Sequence, residues 1–90
     1  YFNFMNINDL ILNVKKKLES NIMIEDLLIE DKSFIHKNHK NNDQGKFHLK
    51  LTIKSKELKT KDKIERTKEI YNILDHEMKN YIHSLQISIS

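Results

Sequence analysis

The chain has 90 residues, with 16 Lys+Arg against 13 Asp+Glu for a net charge of +3 and 38% hydrophobic residues, which is the size of one small domain. With no cysteine, no proline and a single glycine, it excludes a disulfide scaffold, a cysteine-rich zinc module, a P-loop and a glycine-rich dinucleotide loop, so soft metal ligation falls to histidine. A chain this short buries only about 60% of the surface its unfolded form exposes, which leaves little room for a deep pocket and makes a partner protein the expected means of completing an active unit.

No apolar run approaches the roughly 20 residues that span a bilayer, and no membrane association is expected. Alanine is absent and valine and arginine occur once each, while Lys, Asn and Ile abound. That bias reads as coding composition, so lysine runs carry little weight by themselves. The first residue is Tyr1 rather than Met, and residues 1–7 read as a disordered leader to a single domain over 1–90, with any targeting segment left open.

Leu10, Ile11, Val14 and Leu18 fall at helical spacing, with Asn8 or Asp9 to cap the start and Ser20-Asn21 to end it, and predict a helix over 8–20. Ile22-Met23-Ile24 turns the chain, and a strand follows over 26–31. Residues 37–46 hold no apolar side chain and read as a solvated loop. Over 46–55, Phe47, Leu49, Leu51 and Ile53 alternate with Lys46, His48, Lys50, Thr52 and Lys54, which predicts a strand with one core face and one wet face.

After a basic connector, Asp62-Lys63-Ile64-Glu65 is an Asp variant of the capping box, and Ile70, Ile73, Leu74 and Met78 predict one long helix over 62–79. Asp75 and Lys79 stand four apart on its outer face. Leu85, Ile87 and Ile89 alternate with Gln86, Ser88 and Ser90 as a last strand. The expected fold is a single α+β domain of helix-strand-strand-helix-strand order. Its three-stranded mixed sheet carries helices on one face, and a right-handed crossover joins the last two strands.

Within that order, Arg66-Thr67-Lys68-Glu69-Ile70-Tyr71-Asn72-Ile73-Leu74, Glu77-Met78 and Tyr81-Ile82-His83-Ser84-Leu85 resemble the signature of the BolA-like protein family. That signature runs Arg-His-Arg, apolar-Tyr, Leu, Glu-Glu-Leu and Val-His-Ala-Leu. Upstream, Glu30-Asp31-Lys32-Ser33 with His36, and His48-Leu49-Lys50-Leu51 ending at Ser55, resemble its Asp-Glu-Ser segment and its His-Phe-Lys/Arg-Val strand. The match covers nearly the whole chain in order. Two departures stand out: Thr67 replaces the histidine of Arg-His-Arg, and Thr60 replaces a glycine before the long helix.

The resemblance implies a fold similar to a type II KH domain and a non-enzymatic role beside a monothiol glutaredoxin in iron-sulfur cluster handling. A [2Fe-2S] cluster would bridge the two proteins, with glutathione supplied through the partner and no cofactor expected in the isolated chain, a monomer when alone. The corresponding ligands here are His83 and His36, with His39 as the substitute for His36. Neutral imidazole replaces thiolate on one iron of Rieske-type clusters. Protonation removes its lone pair, so such ligation weakens as pH falls through an imidazole pKa of about 6.5. Iron-sulfur recipient proteins would be further partners, and a histidine rather than a cysteine in the loop favours mitochondrion over cytoplasm.

Read from its own position, His83 is equally a hydrogen-bonded histidine at the core's edge, in step with Leu85, Ile87 and Ile89. His36 and His39 equally read as solvated loop residues, His48 as part of the wet sheet face, and His76 as helix surface. Lys54, Lys56, Lys59, Lys61 and Lys63 could meet nucleic-acid phosphate, the basis of an alternative reading as a KH-like nucleic-acid-binding transcriptional regulator. No arginine or aromatic interleaves them, and the missing glycine weighs against a KH-type Gly-x-x-Gly loop. A third reading is a regulatory partner that binds apo-glutaredoxin without touching iron. Ser33, Asp31 and His36 crowd one loop without a nucleophile elbow, which disfavours a hydrolase.

Overall fold

The first helix, α1 (Ile7–Asn21), is started by Asn6 and not by Asn8 or Asp9: the Asp9 amide donates to the Asn6 side chain at 2.9 Å. Ile7 packs against the core, and the helix begins within the stretch expected as a leader. The computed structural model describes residues 6–33 and 47–90; residues 1–5 and the predicted loop over 37–46 lie outside that description. Leu10, Val14 and Leu18 are fully buried along α1, at the spacing that marked them in the sequence.

Strand β1 (Asp26–Asp31) pairs antiparallel with β2 (Phe47–Lys54), in a register that sets Leu27 opposite Ile53 and Ile29 opposite Leu51. Strand β3 (Ile82–Ile89) pairs parallel with β2 on the other side, giving the order β1-β2-β3. A parallel neighbour cannot be reached by a tight turn, and the helices between β2 and β3 supply the crossover. Leu49, Leu51, Ile53 and Leu85 form the buried sheet face against α1 and the crossover helices. The opposite face carries Glu30, Lys50, Thr52, Ser84, Gln86 and Ser88, as period-two alternation requires.

The crossover differs from the single helix over 62–79. It consists of α2 (Lys56–Lys59), α3 (Lys63–Ile73) and α4 (Asp75–Asn80). Ser55 caps α2, accepting from the Leu58 amide at 3.1 Å, while its hydroxyl donates to the Met23 carbonyl at 2.8 Å. Asp62 caps α3 through the Glu65 amide, as the capping pattern predicts. At Leu74 the backbone leaves helical dihedrals (φ −98°, ψ 18°), yet the Leu74 amide still reaches Ile70 and the Met78 amide still reaches Leu74. Apolar spacing continues through such a break, and without proline or glycine nothing in the sequence marks it.

Ser55 is fully buried. Ser55→Ala strands both the Leu58 amide and the Met23 carbonyl, and is expected to lower stability by about 1–3 kcal/mol in urea unfolding. A change within about 0.5 kcal/mol, typical of surface substitutions, would contradict this double role.

Candidate functional site

The site is made by a fault in the β2–β3 ladder. Phe47 lies opposite Ile82, but His48 lies opposite Ser84, so His83 is an extra residue on β3. Bulges of this kind bend a strand and re-aim one side chain. Here the consequence is visible in burial: Ile82 and Leu85, three residues apart, are both buried, while His83 between them is exposed. His83 therefore does not share the core parity of Leu85, Ile87 and Ile89. The core-edge reading of this residue is corrected by the bulge.

His48 is also corrected. Its place in the alternation predicts a wet side chain, but it is only 9% exposed. Its Nδ1 is hydrogen-bonded to Ser84 Oγ at 2.6 Å, and its ring meets that of His83 edge-on, with centroids 5.0 Å apart and planes at 61°. The His48 amide donates to Ser33 Oγ at 3.1 Å, the Lys32 amide donates to the His48 carbonyl at 2.7 Å, and the Ser33 amide donates to Asp31 Oδ1 at 2.9 Å. The chain leaving β1 is thus held beside His48. Asp31 and Ser33 are engaged with backbone amides, in keeping with a turn and not with a catalytic pair.

His36 and His39 lie outside the described residues. His76 is on the exposed surface of α4, where its carbonyl accepts from Asn80. Among the described residues, no group of three or more His, Asp or Glu side chains converges as a metal site. A cysteine-free chain cannot supply a four-thiolate cluster site by itself.

The lysine run is partly neutralised. Lys54, Lys56, Lys59 and Lys63 are exposed, but Lys61 is ion-paired with Glu69. That hydrogen bond holds the Lys61 ammonium above its usual pKa against the opposing effect of desolvation, with the charges of Glu69, Glu57 and Glu65 adding to it. Acidic side chains interleave the run, so it is not a continuous phosphate-binding stripe.

A residue that entered the sequence analysis only as part of the family resemblance anchors this end of the fold. Glu77 of α4 is fully buried, and both its oxygens face α1: Lys17 Nζ lies 2.9 Å from Oε1 and 2.7 Å from Oε2, and Asn13 donates to Oε2. Its signal was available, because position 77 continues the stripe of Ile70 and Leu74. A carboxylate on an apolar stripe requires a cation from a neighbouring element. The outer pair Asp75–Lys79, in contrast, is exposed and bonded at 3.1 Å, as the spacing predicts.

The sequence matches the family described as BolA-like protein over residues 18–90, and the chain belongs to that family. It is 31% identical over 81 residues to SufE-like protein 1, chloroplastic/mitochondrial, of Arabidopsis thaliana, covering 84% of this chain but only 22% of that protein. It is 26% identical over 76 residues to the DNA-binding transcriptional regulator BolA of Haemophilus influenzae, covering 84% of this chain and 71% of that one. Among solved structures, the BolA domain of SufE1 from Arabidopsis thaliana superposes with a TM-score of 0.76 at 30% identity, over 88% of this chain and 87% of that chain. BolA1 from the same plant gives 0.73 at 25% identity with the same coverage. A bol-like protein from Babesia bovis gives 0.64 at 18%, over 84% of this chain and 77% of that one, a likeness of fold alone.

Proposed function

We propose that this BolA-like domain is a non-enzymatic adaptor in iron-sulfur cluster handling, which binds a monothiol glutaredoxin and contributes histidine ligands to a bridging [2Fe-2S] cluster. The observation that carries the reading is the exposure of His83 on the β3 bulge. A ligand shared between two proteins must stand at the surface, and a strand histidine in step with Leu85 would not. The second ligand is His36, or His39 in its place. His36 follows the Ser33 anchor by three residues, a span of no more than about 11 Å when fully extended. The partner supplies the remaining ligands, including glutathione, and iron-sulfur recipient proteins lie downstream. The SufE-like relative's chloroplastic/mitochondrial description supports a mitochondrial setting.

Replacing both His36 and His83 with alanine is the test. The heterocomplex of the double variant is expected to lose the wild-type visible absorption and to release its cluster faster, with the glutaredoxin unchanged. An unaltered spectrum and cluster lifetime would end the reading in favour of a partner that binds glutaredoxin without touching iron.

The Haemophilus influenzae relative is described as a DNA-binding regulator, which favours nucleic-acid binding as a second reading. That reading predicts a steep salt dependence that flattens when Lys54, Lys56, Lys59 and Lys63 are changed to alanine, with no effect of His83→Ala.

A further inference from the structure

We propose that the outer edge of β3 is a contact between two copies of this chain, which meet about a two-fold axis at Ser88 and continue one sheet into the other. Among the described residues β3 is an end strand of the sheet. The Ser90 amide donates to the Ile53 carbonyl at 2.8 Å, and the Ser90 carbonyl accepts from the Ser55 amide at 3.2 Å. Backbone groups alternate in direction along a strand, so Ser84, Gln86 and Ser88 also turn theirs to β2, while Leu85, Ile87 and Ile89 turn theirs outward. Tyr71 of α3 reaches this edge and donates to the Leu85 carbonyl at 3.4 Å. Beyond it, Ile87 and Ile89 present the donors and acceptors that an added strand needs.

Charge selects the second copy as occupant and β3 as the edge. Edge strands are kept from pairing by charged side chains, proline or bulges. β1 carries Asp26, Glu30 and Asp31 within six residues, so self-pairing there sets carboxylates together. Over Ile82–Ile89, β3 carries no Asp, Glu, Lys, Arg or Pro, and its bulge guards only its start. An axis at Ser88 places Ile87 opposite Ile89 of the second copy, with about four backbone hydrogen bonds and no opposed charges. α3 supplies an apolar contact on the same axis. Ile64 is 69% exposed and lies on the helix face of Tyr71, two turns earlier. Those two turns cover about 10 Å, Leu85 to Ile89 covers about 13 Å, and α3 runs counter to β3, so Ile64 stands level with Ser88 and Ile89. There it meets Ile64 of the second copy. So small a contact falls below the roughly 1,200 Å² of standard interfaces and makes a weak dimer. It leaves His83, at the far end of β3, exposed, and stands or falls separately from the adaptor reading.

Sedimentation velocity on the whole chain, from about 10 µM to about 1 mM, tests the proposal. The 10.8 kDa monomer is expected to give way to a species of twice that mass as concentration rises, and the Ile87 and Ile89 amides to exchange with solvent more slowly at the upper end of the range. Ile64→Glu and Ser88→Lys change exposed positions and set like charges together on the axis. Both are expected to hold the chain monomeric with an unaltered far-ultraviolet circular dichroism spectrum. Leu12→Glu, on the exposed face of α1, is expected to leave the dimer in place. A chain that stays monomeric throughout, as the family resemblance implies, overturns the proposal. So does a dimer that persists in both axis variants, one that Leu12→Glu abolishes, or one in which wild-type exchange at Ile87 and Ile89 does not slow, since the contact then lies elsewhere.

Discussion

Lys17→Met is expected to lower the unfolding free energy by about 3–5 kcal/mol, a large fraction of the 5–15 kcal/mol typical of a domain. The substitution keeps an unbranched side chain of similar length on α1 and removes the ammonium. Glu77, fully buried, is then left with Asn13 as its partner, and an under-compensated buried carboxylate is among the most destabilising changes a small protein can suffer. Glu77→Gln is expected to lose less, because the amide still bonds Asn13 and leaves Lys17, 36% exposed, able to turn to water. Urea unfolding with both variants checks the order. If Lys17→Met loses less than Glu77→Gln, the clamp between α1 and α4 is not electrostatic.

His83→Ala is expected to remove most of the change in visible circular dichroism that the wild-type chain produces on a cluster-loaded monothiol glutaredoxin, while leaving thermal unfolding of the free chain nearly unaltered. The reason is position. The side chain is exposed on the bulge, so truncating it removes little packing, but under the proposed ligation its loss would deprive one iron of an imidazole. A His83 variant that lost both the spectral effect and its own stability would return the residue to a structural role. His83→Cys offers a second check. It supplies a thiolate at the same place, and histidine ligation generally raises cluster potential relative to thiolate, so the rescued complex should have a lower reduction potential than wild type.

Much of the fold was legible where one periodicity dominated. Leu10, Val14 and Leu18 define the buried face of α1, and Leu49, Leu51 and Ile53 define the inner face of β2, because each set repeats at the spacing of its element. The element order and the mixed sheet followed from these. The details that make the site were less legible. A bulge at His83 has no residue signature when glycine is absent, and it reverses the inside-outside pattern that the alternation of Leu85, Ile87 and Ile89 extends backwards. His48 sat on the polar parity of its strand, and its burial depends on Ser84 and His83 from β3, a neighbour fixed only by tertiary register. The break at Leu74 left the apolar stripe unbroken. Ser55 as the cap of α2 was readable in principle, since a serine three residues before a buried leucine is a helix start. The loop histidines could be placed only by resemblance.

The family resemblance carried the functional reading further than periodicity could, and the chain's membership of the BolA-like family rests on the match over residues 18–90. What the structure adds is a physical reason for attending to His83. It is an exposed imidazole produced by a bulge and placed beside a second imidazole, at the end of the sheet where the chain leaving β1 is held by Ser33.

The most direct measurement is an anaerobic titration of the wild-type chain into a cluster-loaded monothiol glutaredoxin, followed by visible absorption and circular dichroism. The account predicts a new spectrum that saturates at one chain per glutaredoxin, the signature of a ligand change at iron. A glutaredoxin spectrum that stays constant through the whole titration, with complex formation verified by sedimentation, would contradict it.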